Sequence, residues 1–258
     1  MRIRSMLKWG LIALVAVVSI VAMGLYRLAG KPPANYRPAD LTRDEKEIAV
    51  KRFARRIQDF GNDAQHNERY VWSLTQDEVN AYLAALDEIV ASMPRGRAGR
   101  VNSAMARIGL AGPAVSLHDG IVSLMIRSIR HERIVSADLE FRFAQGGLMR
   151  VLLRGARIGG LPIPRSMVRN RLDGLKAALL AATTSAPDAQ SARGAMGLRP
   201  EDLAALAAVI LSAMDAQPIA AEITWPVNSK HVRIERIDIT EGRMTLHVQP
   251  IRRAGRRR

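Results

Sequence analysis

Acid–base or metal chemistry near neutral pH would fall first to the five histidines, His66, His118, His131, His231 and His247. They are scattered, with no HExxH, no repeated His-x-His and no acid at ligand spacing, so they read as strand or loop histidines rather than ligands. His131-Glu132 places an imidazole beside a carboxylate, but in an expected turn, and neighbours on a strand would point to opposite faces. The chain has no cysteine, which removes thiol nucleophiles, thiolate metal sites, disulfides and a lipidated cysteine. Neither G-x-S-x-G, a Walker loop nor a dinucleotide fingerprint occurs; Gly155 to Gly160 lack the lysine and the strand-to-helix context that phosphate cradling requires. The acid pairs Asp87-Glu88 and Glu201-Asp202 read as solvated helix faces and dipole partners. The expectation is therefore a non-enzymatic chain with no catalytic residue, no metal and no cofactor.

The elements that would position such groups form an α+β pattern. Thr42-Arg43-Asp44-Glu45 has capping-box spacing and opens an amphipathic helix over 43–60, stopped by Gly61-Asn62. A second box, Thr75-Gln76-Asp77-Glu78, opens a helix that ends near Met93-Pro94, with Tyr82 on its core side and Asn80 on its surface. Residues 95–112 read as a basic, glycine-punctuated connection. The period then switches to two: a hairpin turns at Asp119-Gly120, and Val135 to Phe143 gives the clearest strand, followed by a Gln145-Gly146-Gly147 turn and a returning strand over 148–158. Such alternation describes an antiparallel sheet with one wet and one buried face. Gly159-Gly160-Leu161-Pro162-Ile163-Pro164 breaks it, a helix over about 167–180 follows, residues 183–199 read as a flexible loop, and Pro200 opens a helix to about Met214. A last hairpin turns at Glu241-Gly242. The fold expected is a curved antiparallel sheet packed on amphipathic helices over residues 42–250.

Ahead of that domain, residues 9–28 read WGLIALVAVVSIVAMGLYRL, uncharged between Lys8 and Arg27 and about 27 Å long as a helix at ~1.5 Å per residue. Trp9 and Tyr26 stand at its two ends, where amphipathic rings prefer a membrane interface, with Leu14 and Val18 in the apolar stretch between them. Residues 1–8 are then a cytoplasmic tail, 9–28 an uncleaved signal anchor and 29–41 a proline-stiffened tether, placing the domain outside the cytosol. Ala22-Met23-Gly24 offers an alternative cleavage site, but the apolar run continues past it.

The formal charge of +15 divides into three parts. Residues 1–40 carry six Lys/Arg against one acid, residues 251–258 carry five arginines, and the remainder carries 28 against 23. A mildly basic domain with 4% aromatics has little with which to stack bases, so no nucleic-acid partner is expected. Arg252, Arg253, Arg256, Arg257 and Arg258 form a tail suited to anionic lipid headgroups.

The run Trp72-Ser73-Leu74-Thr75-Gln76-Asp77-Glu78-Val79-Asn80-Ala81-Tyr82-Leu83, the strand pair at Asp119-Gly120 and the passage through Ile158-Gly159-Gly160-Leu161-Pro162-Ile163-Pro164 resemble the YpmS-like bacterial single-pass envelope proteins over roughly residues 70–180. That resemblance implies a distant relation to tubular lipid-binding domains, in which a curved sheet wraps a helix and leaves an apolar groove. Val122, Leu124, Leu139, Phe141, Phe143 and Leu152 are the candidates to line one; from the residues alone the same faces favour a closed core over a groove. The function expected is a lipid- or hydrophobic-ligand-binding, membrane-tethered protein of the bacterial inner membrane. The alternative is a scaffold recruiting envelope proteins or an anionic polymer through a basic surface.

Overall fold

The structure, a computed structural model, describes residues 27–92, 102, 105–106, 109–144, 147–164, 166–167, 217–224 and 231–251. The apolar segment up to Tyr26, most of the helix expected from 167, the 183–199 loop, the helix expected from 200 and the arginine tail lie outside them. Among the described residues no helix is long and apolar enough to cross a membrane.

Both capping boxes form. At α1 (Arg43–His66) the Glu45 N–H donates to Thr42 Oγ1 and the Thr42 N–H to Glu45 Oε2. At α2 (Gln76–Ala84) Thr75 and Glu78 exchange the same two bonds, at 3.2 and 3.0 Å. Two boundaries differ from the sequence expectation. α1 runs six residues further, through Gly61 and Asn62 to His66, because Phe60 and Ala64 on either side of Gly61 are buried against the sheet, which offsets the roughly 1 kcal/mol that glycine costs inside a helix. The second helix breaks at Ala85, fully buried, and resumes as α3 (Leu86–Ser92).

Glu78 also takes a 3.0 Å ion pair from Arg56 on α1. Burial pushes its pKa up, but the Thr75 backbone N–H and the Arg56 guanidinium outweigh this and hold it below the ordinary 4.5. A carboxyl with a lowered folded pKa stabilises the fold above its unfolded pKa and loses that contribution as the pH falls through the folded value. Glu78→Gln is therefore expected to lower stability by about 1 kcal/mol at pH 7, with the deficit closing as pH falls below about 4.5. Urea melts of both proteins from pH 7 to 3 would check this; a gap that stays constant with pH refutes it.

The strands form two antiparallel sheets rather than one. The four-stranded sheet has the order β1 (Tyr70–Thr75), β10 (Arg243–Pro250), β9 (His231–Thr240), β8 (Glu222–Thr224). The six-stranded sheet runs β2 (Leu110–His118), β3 (Ile121–Ser128), β4 (Arg133–Ala144), β5 (Leu148–Ile158), β6 (Leu161–Pro162), with β7 (Ile219–Ala220) also on β5. At the β2–β3 turn Asp119 and Gly120 both have positive φ, 45° and 79°, as a tight two-residue hairpin of matching twist requires.

One face of the four-stranded sheet does double duty. Tyr70, Trp72, Val232 and Val248 pack under Phe60 and Ala64 of α1, whereas Ile234, Ile237 and Ile239 further along β9 pack on the six-stranded sheet. Ile234 shares a cluster with Met149 and Val151 on β5, Ile239 shares one with Leu117 and Val122 on β2 and β3, and Ile237 and Phe141 of β4 pack against both clusters. β9 thus crosses the strands of the larger sheet at the end where β3 begins, and of the strands in the described residues it covers that end.

Residues 32–42 turn once at Ala34-Asn35, where the Tyr36 N–H donates to Pro33 O at 3.0 Å, and are fastened to the domain: the Tyr36 hydroxyl donates to Gly112 O at 2.8 Å, and its ring packs on Ala114, Met125 and Ile134.

Candidate functional site

The inner face of the six-stranded sheet is defined by its register. Leu117, Val122 and Leu139 align across β2, β3 and β4; Leu124 aligns with Ala137 and Ala156, and Ile126 with Val135 and Ile158. Side chains two apart on a strand share a face, so these rungs form one continuous apolar surface. Its first half is core. Val122, Leu139, Phe141 and Phe143 pack against β9 and its neighbours, and Val151 at their centre is fully buried. Its second half runs beyond the crossing strand. Leu124 there is 44% exposed and Val135 37%, with Ile126, Ala137, Ala156 and Ile158 half-buried beside them.

Of the six sequence-derived groove residues, four therefore help to seal the two sheets, and Leu124 alone stands in the uncovered part. Leu152 is a correction. It pairs with Glu140 on the opposite face, because in the run Met149 to Leu153 it is the odd-numbered residues that point inward. Ile126, Val135, Ala137, Ala156 and Ile158 were missed as a surface. Their alternation was visible, but which of them would be uncovered depends on where β9 crosses, a contact between residues about a hundred positions apart.

The far face of the same sheet carries the Ala114, Met125 and Ile134 cluster under Tyr36 and, beyond it, acids and arginines that pair with one another. Glu140 takes an ion pair from Arg142 at 2.7 Å and another from Arg154, which together hold its carboxyl below the usual range, Arg154 foremost. Asp138 pairs with Arg157 at 3.3 Å and accepts from Ser123 Oγ at 2.6 Å. On the outer face of the four-stranded sheet, Arg233 pairs with Glu222 and Arg236 with Asp238, at 2.9 and 2.7 Å. Five strand arginines are thus matched by acids, three across strands and two along one.

Among these groups one imidazole is held against a carboxylate. His247 Nε2 lies 2.8 Å from Asp238 Oδ2, but Arg236 holds the same carboxylate and approaches the same ring nitrogen at 3.0 Å. Among the described residues no hydroxyl hydrogen-bonds to that imidazole, so the arrangement lacks a nucleophile for it to activate. His66 bonds back to Asn62 O on its own helix, and His131 sits exposed in the β3–β4 turn, with Glu132 beside it at φ 51°. No group of three or more His, Asp or Glu among the described residues is placed to hold a metal ion. A cleft of about 270 Å³ opens between Asp40, Lys46, Asn102 and Pro113. Lys46 there pairs with Glu88 at 3.2 Å and the Asn102 Nδ2 donates to Leu83 O and Ala84 O, while the Asn102 Oδ1 is buried without a hydrogen-bond partner among the described residues.

No family model, curated protein or solved structure matches the chain. Its chemistry has to be argued from the apolar face and from what lies around it.

That face ends at a defined place. The β3–β4 turn (residues 129–132) and the β5–β6 turn (Gly159-Gly160) lie together at the uncovered end of the sheet, joined by the Gly159 N–H to Ile134 O bond at 2.7 Å. The start of the described chain is pinned there too: Leu28 O accepts from the Gly160 N–H at 2.9 Å and from the Lys31 N–H at 3.2 Å. The point at which residues 1–26 join the fold and the open end of the apolar face are therefore one neighbourhood.

Proposed function

We propose that this chain is a membrane-tethered, non-enzymatic envelope protein whose domain binds a lipid or another hydrophobic ligand along the uncovered rungs of its six-stranded sheet. The observation that carries the reading is the exposure of Leu124 and Val135 on a face whose other half is core, at the end of the sheet where the apolar N-terminal segment joins. Water contact with apolar area is unfavourable at roughly 25 cal/mol per Å², and two rungs three strands wide supply a surface an acyl chain would cover. The N-terminal run supports the tether: eighteen uncharged residues from Trp9 to Tyr26 are long enough to span hydrocarbon. The pairing of five strand arginines with acids weakens the rival reading, a scaffold acting through a basic surface.

The test is to purify the full chain from membranes, extract it, and identify co-purifying lipid by mass spectrometry, comparing the native protein with Leu124→Ser/Val135→Ser. Both positions are already half in water, so the double variant is expected to fold with a stability change of about 0.5 kcal/mol or less per site while losing most of its bound lipid. An empty native protein, or equal lipid on both, sinks the proposal.

A further inference from the structure

Around the uncovered end of the six-stranded sheet, residues 27–31 and 129–133 bring together four Lys/Arg and a single acid, Glu132. Arg27, Lys31 and Arg130 are exposed and make no ion pair with any described residue, unlike Arg142, Arg154, Arg157, Arg233 and Arg236 on the strands. Between these cations stand two exposed large apolar side chains, Leu28 at 47% and Ile129 at 46%. The turn that presents Ile129 is held firmly: its N–H donates to Gly109 O at 2.7 Å, and Ile134, just past the turn, is tied to Gly159. An apolar tip ringed by unpaired cations is the chemistry of a surface that meets anionic lipid, where each Lys or Arg gains from the negative surface potential and the apolar side chain leaves water.

We propose that this end of the sheet rests on an anionic bilayer surface, with Ile129 seated among the headgroups and Arg27, Lys31 and Arg130 against their phosphates. The inference rests on the membrane-tethered reading and adds an orientation to it. Leu28 closes the apolar run expected to span the bilayer, and it is hydrogen-bonded through its carbonyl to the β5–β6 turn, so no slack separates the anchor from the sheet. The sheet therefore cannot stand away from the membrane as a domain on a free tether would. The uncovered rungs, from Ile126–Val135–Ile158 outward, then begin at the headgroup layer and lead away from it, a path by which an acyl chain could leave the bilayer without crossing water.

The chain has no native cysteine, so a single introduced one takes a spin label uniquely. The full chain would be reconstituted in phosphatidylethanolamine–phosphatidylglycerol vesicles with a nitroxide at Ile129→Cys, and separately at Val71→Cys, an exposed position on the outer face of β1. Collision with oxygen, relative to collision with a water-soluble nickel complex, is expected to be several-fold higher at 129 than at 71. Adding Lys31→Glu and Arg130→Glu should return the 129 label to the value at 71. A label at 129 as nickel-accessible as that at 71, in vesicles that keep the protein through alkaline carbonate, overturns the orientation and leaves the tether standing. A label shielded from both reagents means that a protein covers the site, which also overturns it. Release of the chain by carbonate overturns the tethered reading itself.

Discussion

Asn80→Ala is expected to lower the stability of the domain by about 3 kcal/mol and its melting temperature by about 6–12 °C, the larger share coming from two backbone groups left unpaired. β2 is the edge of the six-stranded sheet, so its outward N–H and C=O groups have no neighbouring strand. Asn80, 4% exposed, supplies both partners at once: its Nδ2 donates to Val115 O at 3.0 Å and its Oδ1 accepts from the Val115 N–H at 2.7 Å. Gln76 Oε1, one helical turn earlier, accepts from the Leu117 N–H at 2.9 Å, and Leu117 O accepts from the Gly242 N–H. The side chains of α2 thus act as a strand. Asn80→Asp separates this from mere loss of packing. One carboxylate oxygen can still accept from Val115, but the other faces the Val115 carbonyl, so burial and repulsion raise the folded pKa of the new carboxyl above its unfolded value. Stability from such a group is present below the unfolded pKa and lost as the pH rises, so the aspartate variant should be closest to native in acid and weaken toward neutrality. Chemical denaturation of both variants at two pH values would check it; an alanine variant within about 0.5 kcal/mol of native removes the clamp from the account of the fold.

The same residue shows where the sequence was legible and where it was not. The capping boxes at Thr42 and Thr75, the Asp119-Gly120 hairpin and the alternation of β4 are local signals, and each element stands where its residues point. Asn80 reads as helix surface, because no helical pattern reveals that a strand edge 35 residues later will need an amide. Tyr70 to Thr75 went unread as a strand, although Tyr-Val-Trp is a β-favouring run, since its pairing with β10 spans about 170 residues. The uncovered rungs share that limit: local pattern fixes which side chains share a face, and only the crossing of β9 decides which of them remain in water.

Gly159→Ala is expected to detach residues 28–31 from the sheet while leaving the domain folded, and Gly120→Ala, which carries the same backbone demand, is expected not to. Both glycines have positive φ, 58° and 79°, where alanine costs about 1–2 kcal/mol. The difference lies in what a Cβ would meet. At Gly120 there is open space, whereas at Gly159 the methyl would drive into the backbone carbonyls of Ala29 and Lys31, which have no side-chain freedom with which to yield. The Gly160 N–H to Leu28 O bond is the contact that has to open. Tyr36 remains bonded to Gly112 and packed on Met125 and Ile134, so the opening should stop short of that residue. Amide hydrogen exchange reads this directly: in Gly159→Ala the Gly160 and Lys31 amides should exchange about 30-fold faster or more, the equivalent of losing about 2 kcal/mol of local protection, with strand amides of β3 and β4 little changed. Gly120→Ala should instead lower global stability by about 1 kcal/mol without singling out those two amides. Equal exchange at Gly160 in the two variants would mean that the junction is not held by this turn, and the rigid link between the N-terminal segment and the sheet would have to be abandoned.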